Sequence, residues 1–260
     1  MPVNKARLHK GRAVALLLLL APLLAGCGGG WGWHVVNPAD PRGQANLTFM
    51  LSGFWATVSL SLAAMALSVV LGLAVALLGL ARWRPLRLAA RAYVELFRAI
   101  PILVLILWVF YGLPVVLDIR LGVFLAAMLA IAVCDSAFEA EIFRAGIQSV
   151  EQGQREAGLA LGLTAWQRMR FVILPQAIRR VLPPMANQFI YVVKMSSLAS
   201  VIGYQELTRK ANELVVTVFR PLEIYTILIL EYLVLILLIS AAVRRLEQRM
   251  GADQSLRREA

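Results

Sequence analysis

From Leu47 to Ala81 the chain passes through 35 residues without one charged side chain. Crossing a bilayer takes roughly 20 predominantly apolar residues in a helix. This run is longer than one span needs, so its start can lie at the interface. Four further runs are long enough to cross: Ala99–Leu117, Leu121–Phe143, Val181–Gly203 and Leu222–Val243. Soluble domains lie well below the 60% hydrophobic content and mean hydropathy of +0.74 of this 260-residue chain. The expected fold class is all-α, a polytopic helical membrane protein with five core transmembrane helices plus an N-terminal hydrophobic helix or signal anchor.

The N-terminal run, Ala13–Gly26, is different. It is short, contains Pro22, follows Lys5, Arg7, Lys10 and Arg12, and ends Leu24-Ala25-Gly26-Cys27. Two readings stay open: a cleaved secretory signal, even a lipoprotein one with Cys27 as its acceptor, or an uncleaved first helix. Both place residues 28–46 outside. With the N-terminus in the cytoplasm, residues 1–12, 82–98, 144–180 and the tail from Arg244 fall inside. These segments hold 20 of the 26 Lys and Arg residues; five fall outside, and Lys194 lies within a run. That asymmetry is the positive-inside pattern, and it puts the C-terminus in the cytoplasm. The domain expectation is an N-terminal basic segment, anchor or signal and linker (1–46), a membrane domain (47–245) and a cytoplasmic tail (246–260). The net charge of +11 does not indicate nucleic acid, because the arginines fall between apolar runs and not on one soluble face. Cys27 and Cys134 have no metal-site or disulfide spacing.

The longest cytoplasmic loop, 145–184, is the most amphipathic part of the chain. Ser149-Val150-Glu151-Gln152 has the spacing of a helix-opening capping box, and a helix runs from there to about Leu161. Gly162 breaks it, because glycine adopts the left-handed conformation that ends helices. Thr164-Ala165-Trp166-Gln167 offers a second capping box, with a helix to about Ile173 and Pro175 opposing simple continuation. Leu159, Leu163, Trp166, Met169 and Phe171 give this pair apolar surface, and Arg168 and Arg170 give it charge. It reads either as an interfacial loop on acidic lipid or as a docking element for the groove of a cytoplasmic partner.

Glu156-Ala157-Gly158, three residues, Gly162, nine residues and Val172-Ile173-Leu174-Pro175 resemble the EAA loop of bacterial ABC importer permeases, with Gly158 for the third residue and Val172 for an isoleucine. Segments 94–101, 135–149 and 198–203 resemble the polar amino-acid branch of these permeases. The resemblance covers about residues 50–245. It implies a type I importer permease fold in the bacterial inner membrane. It implies two permease subunits, as a homodimer or heterodimer, each contacting an ABC ATP-binding subunit. A periplasmic solute-binding protein would deliver a small-molecule amino acid. Glu156, Ala157, Gly158, Gly162, Leu174 and Pro175 would form the ATPase-coupling element. The chain contains no G-x-x-x-x-G-K-[ST] phosphate loop. No cofactor or metal is expected on it, ATP would act on the partner ATPase, and the chain is not expected to be an enzyme.

Charge at bilayer depth is expensive and points to function. Lys194, Ser196 and Ser197 share the fourth run, Asp135 and Glu139 share a helix face in the third, Glu231 lies midway along the fifth, and Glu141 is three before Arg144. Two roles stay open: Lys194 pairing with one of the acids to hold the bundle, or these residues lining a path for a zwitterion. The family's lysine is usually followed by Asp or Asn, whereas Met195 follows here; an excess of acids favours a cationic amino acid. Pro101, Pro114, Pro183 and Pro184 are expected to mark span boundaries and kinks. The rivals are an ion-coupled secondary amino-acid transporter, against which the lack of an inverted repeat counts, and a non-transporting scaffold, which leaves the cytoplasmic helix pair without use.

Overall fold

A computed structural model describes residues 32–249. The basic N-terminus, the Ala13–Gly26 run, Cys27 and the tail beyond residue 249 lie outside the described residues. The described chain is helical throughout: α1 (Pro41–Leu51), α2 (Phe54–Gly79), α3 (Arg84–Ala99), α4 (Ile102–Leu117), α5 (Val123–Gln148), α6 (Gln152–Ala160), α7 (Ala165–Arg168), α8 (Leu174–Met195), α9 (Leu207–Val218) and α10 (Pro221–Arg249). A 3₁₀ turn, Ser196–Ile202, follows α8.

Helices α2 and α5 form the centre and run parallel with constant register. Ser68 meets Asp135, Gly72 meets Glu139, and Leu80 packs beside Ile147. Small residues make this approach possible. The buried face of α2 is Thr57, Leu60, Ser61, Ala64, Ser68, Gly72 and Ala76, against Ala126, Ala127, Ala130 and Ala140 of α5. Lipid tails are as apolar as leucine, so helices in a membrane associate through such close packing and through buried polar contacts. A Cβ on Gly72 would lie 2.5 Å from Glu139 Cβ and 3.0 Å from the Ser136 carbonyl oxygen.

The remaining helices return around this pair. α3 rises from beside Gly79, Tyr93 Oη meets Ser136 Oγ at 2.7 Å, and α4 leaves at 99° after Pro101. Leu105, Ile106 and Val109 of α4 join the core formed with Leu60, Ala64 and Ala126–Ile131. α8 runs antiparallel to α5, with Gln188 on Asp135 and Ala177 beside Ile147. Of α5's most apolar stretch 61% is buried, against 22% for residues 41–79 and 6% for α10. α5 is therefore the axis, and α10 lies at the edge.

Among the described residues, three helices are long and apolar enough to cross a membrane, or four if the bent pair α3–α4 counts as one span. The expected Val181–Gly203 span is not among them. Its α-helix stops at Met195 and gives way to the 3₁₀ turn. Pro183 and Pro184 lie inside α8, so they mark no boundary. Pro101 does mark the α3–α4 bend.

Two prolines are accommodated by the same device. Leu174 N–H donates to Met169 O and Leu113 N–H to Trp108 O, five residues back, in π-turns that end immediately before Leu174-Pro175 and Leu113-Pro114. Proline lacks an N–H and its ring crowds the carbonyl four residues earlier. Widening the helix by one residue relieves both. The helix opened at Thr164 therefore does not end near Ile173, as the sequence suggested, but continues through the π-turn into α8.

Gly72→Val is expected to cost about 1–3 kcal/mol by overpacking the α2–α5 seam. A thermal unfolding midpoint for the detergent-purified chain checks this; an unchanged midpoint would mean that the seam is looser than described.

Candidate functional site

The helix pair after α5 is built from local signals. Gly162 takes φ +71°, Leu163 N–H donates to Gly158 O at 3.0 Å and Gly162 N–H to Leu159 O at 2.9 Å. This double bond pattern is a Schellman closure of α6. Thr164 then caps α7: its Oγ1 accepts from Gln167 N–H at 3.3 Å, and Gln167 Oε1 accepts from Thr164 N–H at 2.8 Å. The Ser149 capping box does not form. Ser149 ends α5 with its Oγ donating to Gly146 O at 2.8 Å, and α6 starts after Glu151 with no side-chain cap. Ser149 was needed at the preceding helix end, so it was unavailable to the next one.

Gly158 is buried because Arg168 lies across it; a Cβ there would meet Arg168 Cγ at 2.9 Å. The hairpin is pinned to the bundle by Ile147, Val150, Ile173 and Ala177, with Leu80 and Met169 beside them. The Arg180 guanidinium also donates to Ser149 O. Its outer surface is apolar and open: Leu161 is 78% exposed, Trp166 69% and Phe171 65%, with Leu159 and Leu174 also exposed. Glu156 is exposed, its Oε1 accepting from Gln152 Nε2 at 2.8 Å; Ala157 and Pro175 are exposed as well. Of the six coupling candidates, Glu156, Ala157, Gly158 and Gly162 lie on the hairpin, and Leu174 and Pro175 open α8 just after it.

The intramembrane polar residues are not gathered in this way. Asp135 is buried between three helices. Ser68 Oγ donates to Oδ2 at 2.5 Å and Gln188 Nε2 donates to Oδ1. Glu139, one turn along, is fully buried, and its carboxylate oxygens meet no hydrogen-bond partner among the described residues. Glu231 on α10 is half-buried, also with unpartnered oxygens. Lys194 is exposed and makes no ion pair among the described residues, so of its two open roles the pairing with an acid is not seen. Ser196 is buried and bonds back to Val193 O at 2.8 Å; Ser197 bonds back to Lys194 O at 2.7 Å. Glu141 does pair with Arg144, at 2.8 Å. No group of three or more His, Cys, Asp or Glu side chains is placed to hold a metal among the described residues.

Ser68 and Gly72 were missed by sequence reasoning. Their signal was present in the small residues at helical spacing, Ser61, Ala64, Ser68, Gly72 and Ala76, inside an otherwise large-residue run.

If the Ser68–Asp135 bond matters, Ser68→Ala is expected to cost about 1–3 kcal/mol in the wild type and much less on an Asp135→Ala background, a coupling of about 0.5–3 kcal/mol. Unfolding titrations of the four variants in micelles measure it. Additive losses would contradict the bond.

Residues 68–252 match the family described as binding-protein-dependent transport system inner membrane component. The glutamine transport system permease protein GlnP of Escherichia coli (strain K12) is 39% identical over 223 residues, covering 84% of this chain and 97% of that protein. The arginine transport system permease protein ArtQ of Bacillus subtilis (strain 168) is 30% identical over 80% of this chain and 94% of its own length. A crystal structure of an amino acid ABC transporter with histidines superposes with TM-score 0.73 at 38% identity, covering 78% of this chain and 94% of that one. The inward-facing MetNI methionine ABC transporter gives TM-score 0.67 at 23% identity, covering 78% of this chain and 96% of that one, a likeness of fold.

Proposed function

This chain belongs to the binding-protein-dependent transport system inner membrane component family, and on that premise we propose how its parts divide the work of import. It is a permease subunit of an ABC transporter for polar amino acids, a multi-pass membrane protein. The family implies that ATP is used by a partner ATPase and that a binding protein is the other partner. Relatives are named for glutamine, arginine and glutamate/aspartate. An ion-coupled secondary transporter is not favoured.

The observation that carries the mechanism is the exposed apolar surface of the hairpin. Its Leu161, Trp166 and Phe171 leave a large apolar surface open to water or partner, a combination suited to a groove on another protein. In this reading the hairpin end of the bundle and the C-terminus are cytoplasmic, and the hairpin seats in the ATPase. Gly162 sets the angle between α6 and α7, and the Ile147–Ile173 cluster keeps the hairpin from swivelling freely. Nucleotide-driven movement of the ATPase then passes through α5 and α8 to the seam at Asp135. The permease domain would be residues 47–245, with residues 1–46 preceding it and 246–260 a tail.

Of the path candidates, Lys194 and Ser197 have surface open to a substrate in this conformation, and Lys194 supplies charge for a carboxylate. Glu231 is half-buried on α10 at the edge of the bundle, and Asp135, Glu139 and Ser196 are buried within it. Asp135 acts there as a polar clamp between helices, and the others reach a zwitterion only if the seam opens.

Glu156→Lys or Gly162→Asp is expected to weaken association with the ATPase by about 2 kcal/mol or more, roughly 30-fold, while membrane insertion stays normal. Co-purification and ATP-dependent uptake of glutamine, arginine and glutamate in proteoliposomes with the ATPase and binding protein measure this. Full co-purification and uptake in these variants would refute the docking role. Uptake by this chain alone on an ion gradient would refute the importer reading.

A further inference from the structure

We infer that Arg168 is a positioning residue of the hairpin: its aliphatic stem, laid across the bare backbone of Gly158, holds α6 and α7 at one angle, so that a push on α6 reaches α8. This rests on the docking reading and adds to it the contact that transmits movement.

The two helices of the hairpin are held differently. The π-turn that follows α7 is anchored through Met169 and Ile173, which pack with Ile147, Val150, Ala177 and Leu80. That cluster takes no member from α6. The backbone joins α6 to α7 at Gly162 through the two bonds of the Schellman closure. Gln176 Nε2 of α8 also donates to Gln154 Oε1 of α6 at 3.4 Å, a long bond between exposed side chains. A turn fixes where the chain reverses, but it braces two helices poorly against a load on one of them. The brace is at Gly158. A Cβ there would lie 2.9 Å from Arg168 Cγ and 3.2 Å from Arg168 Cδ, with Leu163 Cδ1 at 3.8 Å. The middle of the Arg168 side chain therefore occupies the space that a larger residue at 158 would fill, and Gly158 is buried beneath it.

Packing holds this stem in place, not polar bonding. Arg168 Nε is buried with no hydrogen-bond partner among the described residues, and Arg168 forms no salt bridge among them. Arginine methylenes cover neighbouring surface, so removing them costs packing as well as charge. A buried donor without an acceptor carries a cost of its own, so an unbranched apolar side chain of similar length suits the same place. Arg168 is followed directly by Met169. A load on α6 therefore passes through the stem into the cluster that grips α5 and α8.

The test pairs two measurements. The first is the distance between spin labels on cysteines placed at Gly153 of α6 and Trp166 of α7, in the purified full chain with its native cysteines replaced, by pulsed electron spin resonance. A Cβ at 153 meets nothing within 4 Å, and Trp166 is 69% exposed. The second, on unlabelled variants, is glutamine uptake per ATP hydrolysed in proteoliposomes with the ATPase and binding protein. Arg168→Ala is expected to widen the wild type's single narrow distance and to lower uptake per ATP about threefold or more, while the ATPase still co-purifies. Arg168→Met, which keeps the stem and discards the unpaired donor, is expected to stay near the wild type in both. Gly158→Ala displaces the stem while giving α6 a better helix former, so it should act like Arg168→Ala. The double variant should lose no more than either single one. Arg168→Met as impaired as Arg168→Ala overturns the inference, because charge and not the stem would then be at work. An unchanged distance in Arg168→Ala and Gly158→Ala overturns it, and so does a widened distance with full uptake per ATP. If Arg168→Ala does not insert, Gly158→Ala decides by the same criteria. Full co-purification of the ATPase with Glu156→Lys overturns the docking reading instead and leaves the distance result, which needs no ATPase, in place.

Discussion

The close parallel contact of α2 and α5 is the constraint on which the other contacts depend. Position 72 has no room for a side chain because the Glu139 Cβ and Ser136 carbonyl already fill it. Close approach at that point lets Ser68 reach Asp135, and the same carboxylate takes its other donor from Gln188 of α8. Three helices are thereby tied at one depth by one buried acid. Donors on both oxygens lower the cost of burying such a group, whereas Glu139, one turn along, has none among the described residues.

From that tie the construction reads toward both ends. At the hairpin end, α5 and α8 converge on Ile147, Val150, Ile173 and Ala177, which hold α6 and α7 against the bundle. A displacement of the hairpin is therefore a displacement of the helices that flank Asp135. At the opposite end, Glu206 caps α9 by accepting from Thr208 and Arg209 N–H at 2.9 and 2.7 Å and from Tyr232 Oη at 2.8 Å. Leu207 N–H donates to Thr57 Oγ1 at 3.2 Å. α2, α9 and α10 are fastened there by specific polar bonds, so the two ends are linked through helices and not through loops.

Much of this was legible in the residues, for identifiable reasons. Thr164 with Gln167, and Gly162, are local signals whose geometry depends on few neighbours, and both are realised as read. Ser149 carried the same type of signal but stood where α5 had to end, and the earlier helix claimed its hydroxyl. Pro175 was read as a stop, because proline rules describe an ideal helix; a π-turn let the chain pass it, as another did before Pro114. The fourth run was counted as a span on its apolar residues, yet Pro183, Pro184, Arg179 and Arg180 keep its helix below the hydropathy of the others. For Lys194 the sequence left two roles open, an acid partner or a place on the substrate path, because charge says nothing about which way a side chain faces. The roles of Ser68 and Gly72 depend on which helix lies opposite, which no single run reveals.

The proposed role of the exposed hairpin is to be the surface that the ATPase grips on this subunit. Site-directed cross-linking tests it most directly, in a chain whose native cysteines are replaced and a single cysteine is placed at Leu161, 78% exposed on the hairpin, or at Val115, 85% exposed on α4. In the assembled importer the cysteine at 161 should cross-link to the ATPase and the one at 115 should not. Cross-linking from 115 but not 161, or labelling of 161 from the side of the membrane opposite the ATPase, would contradict that role.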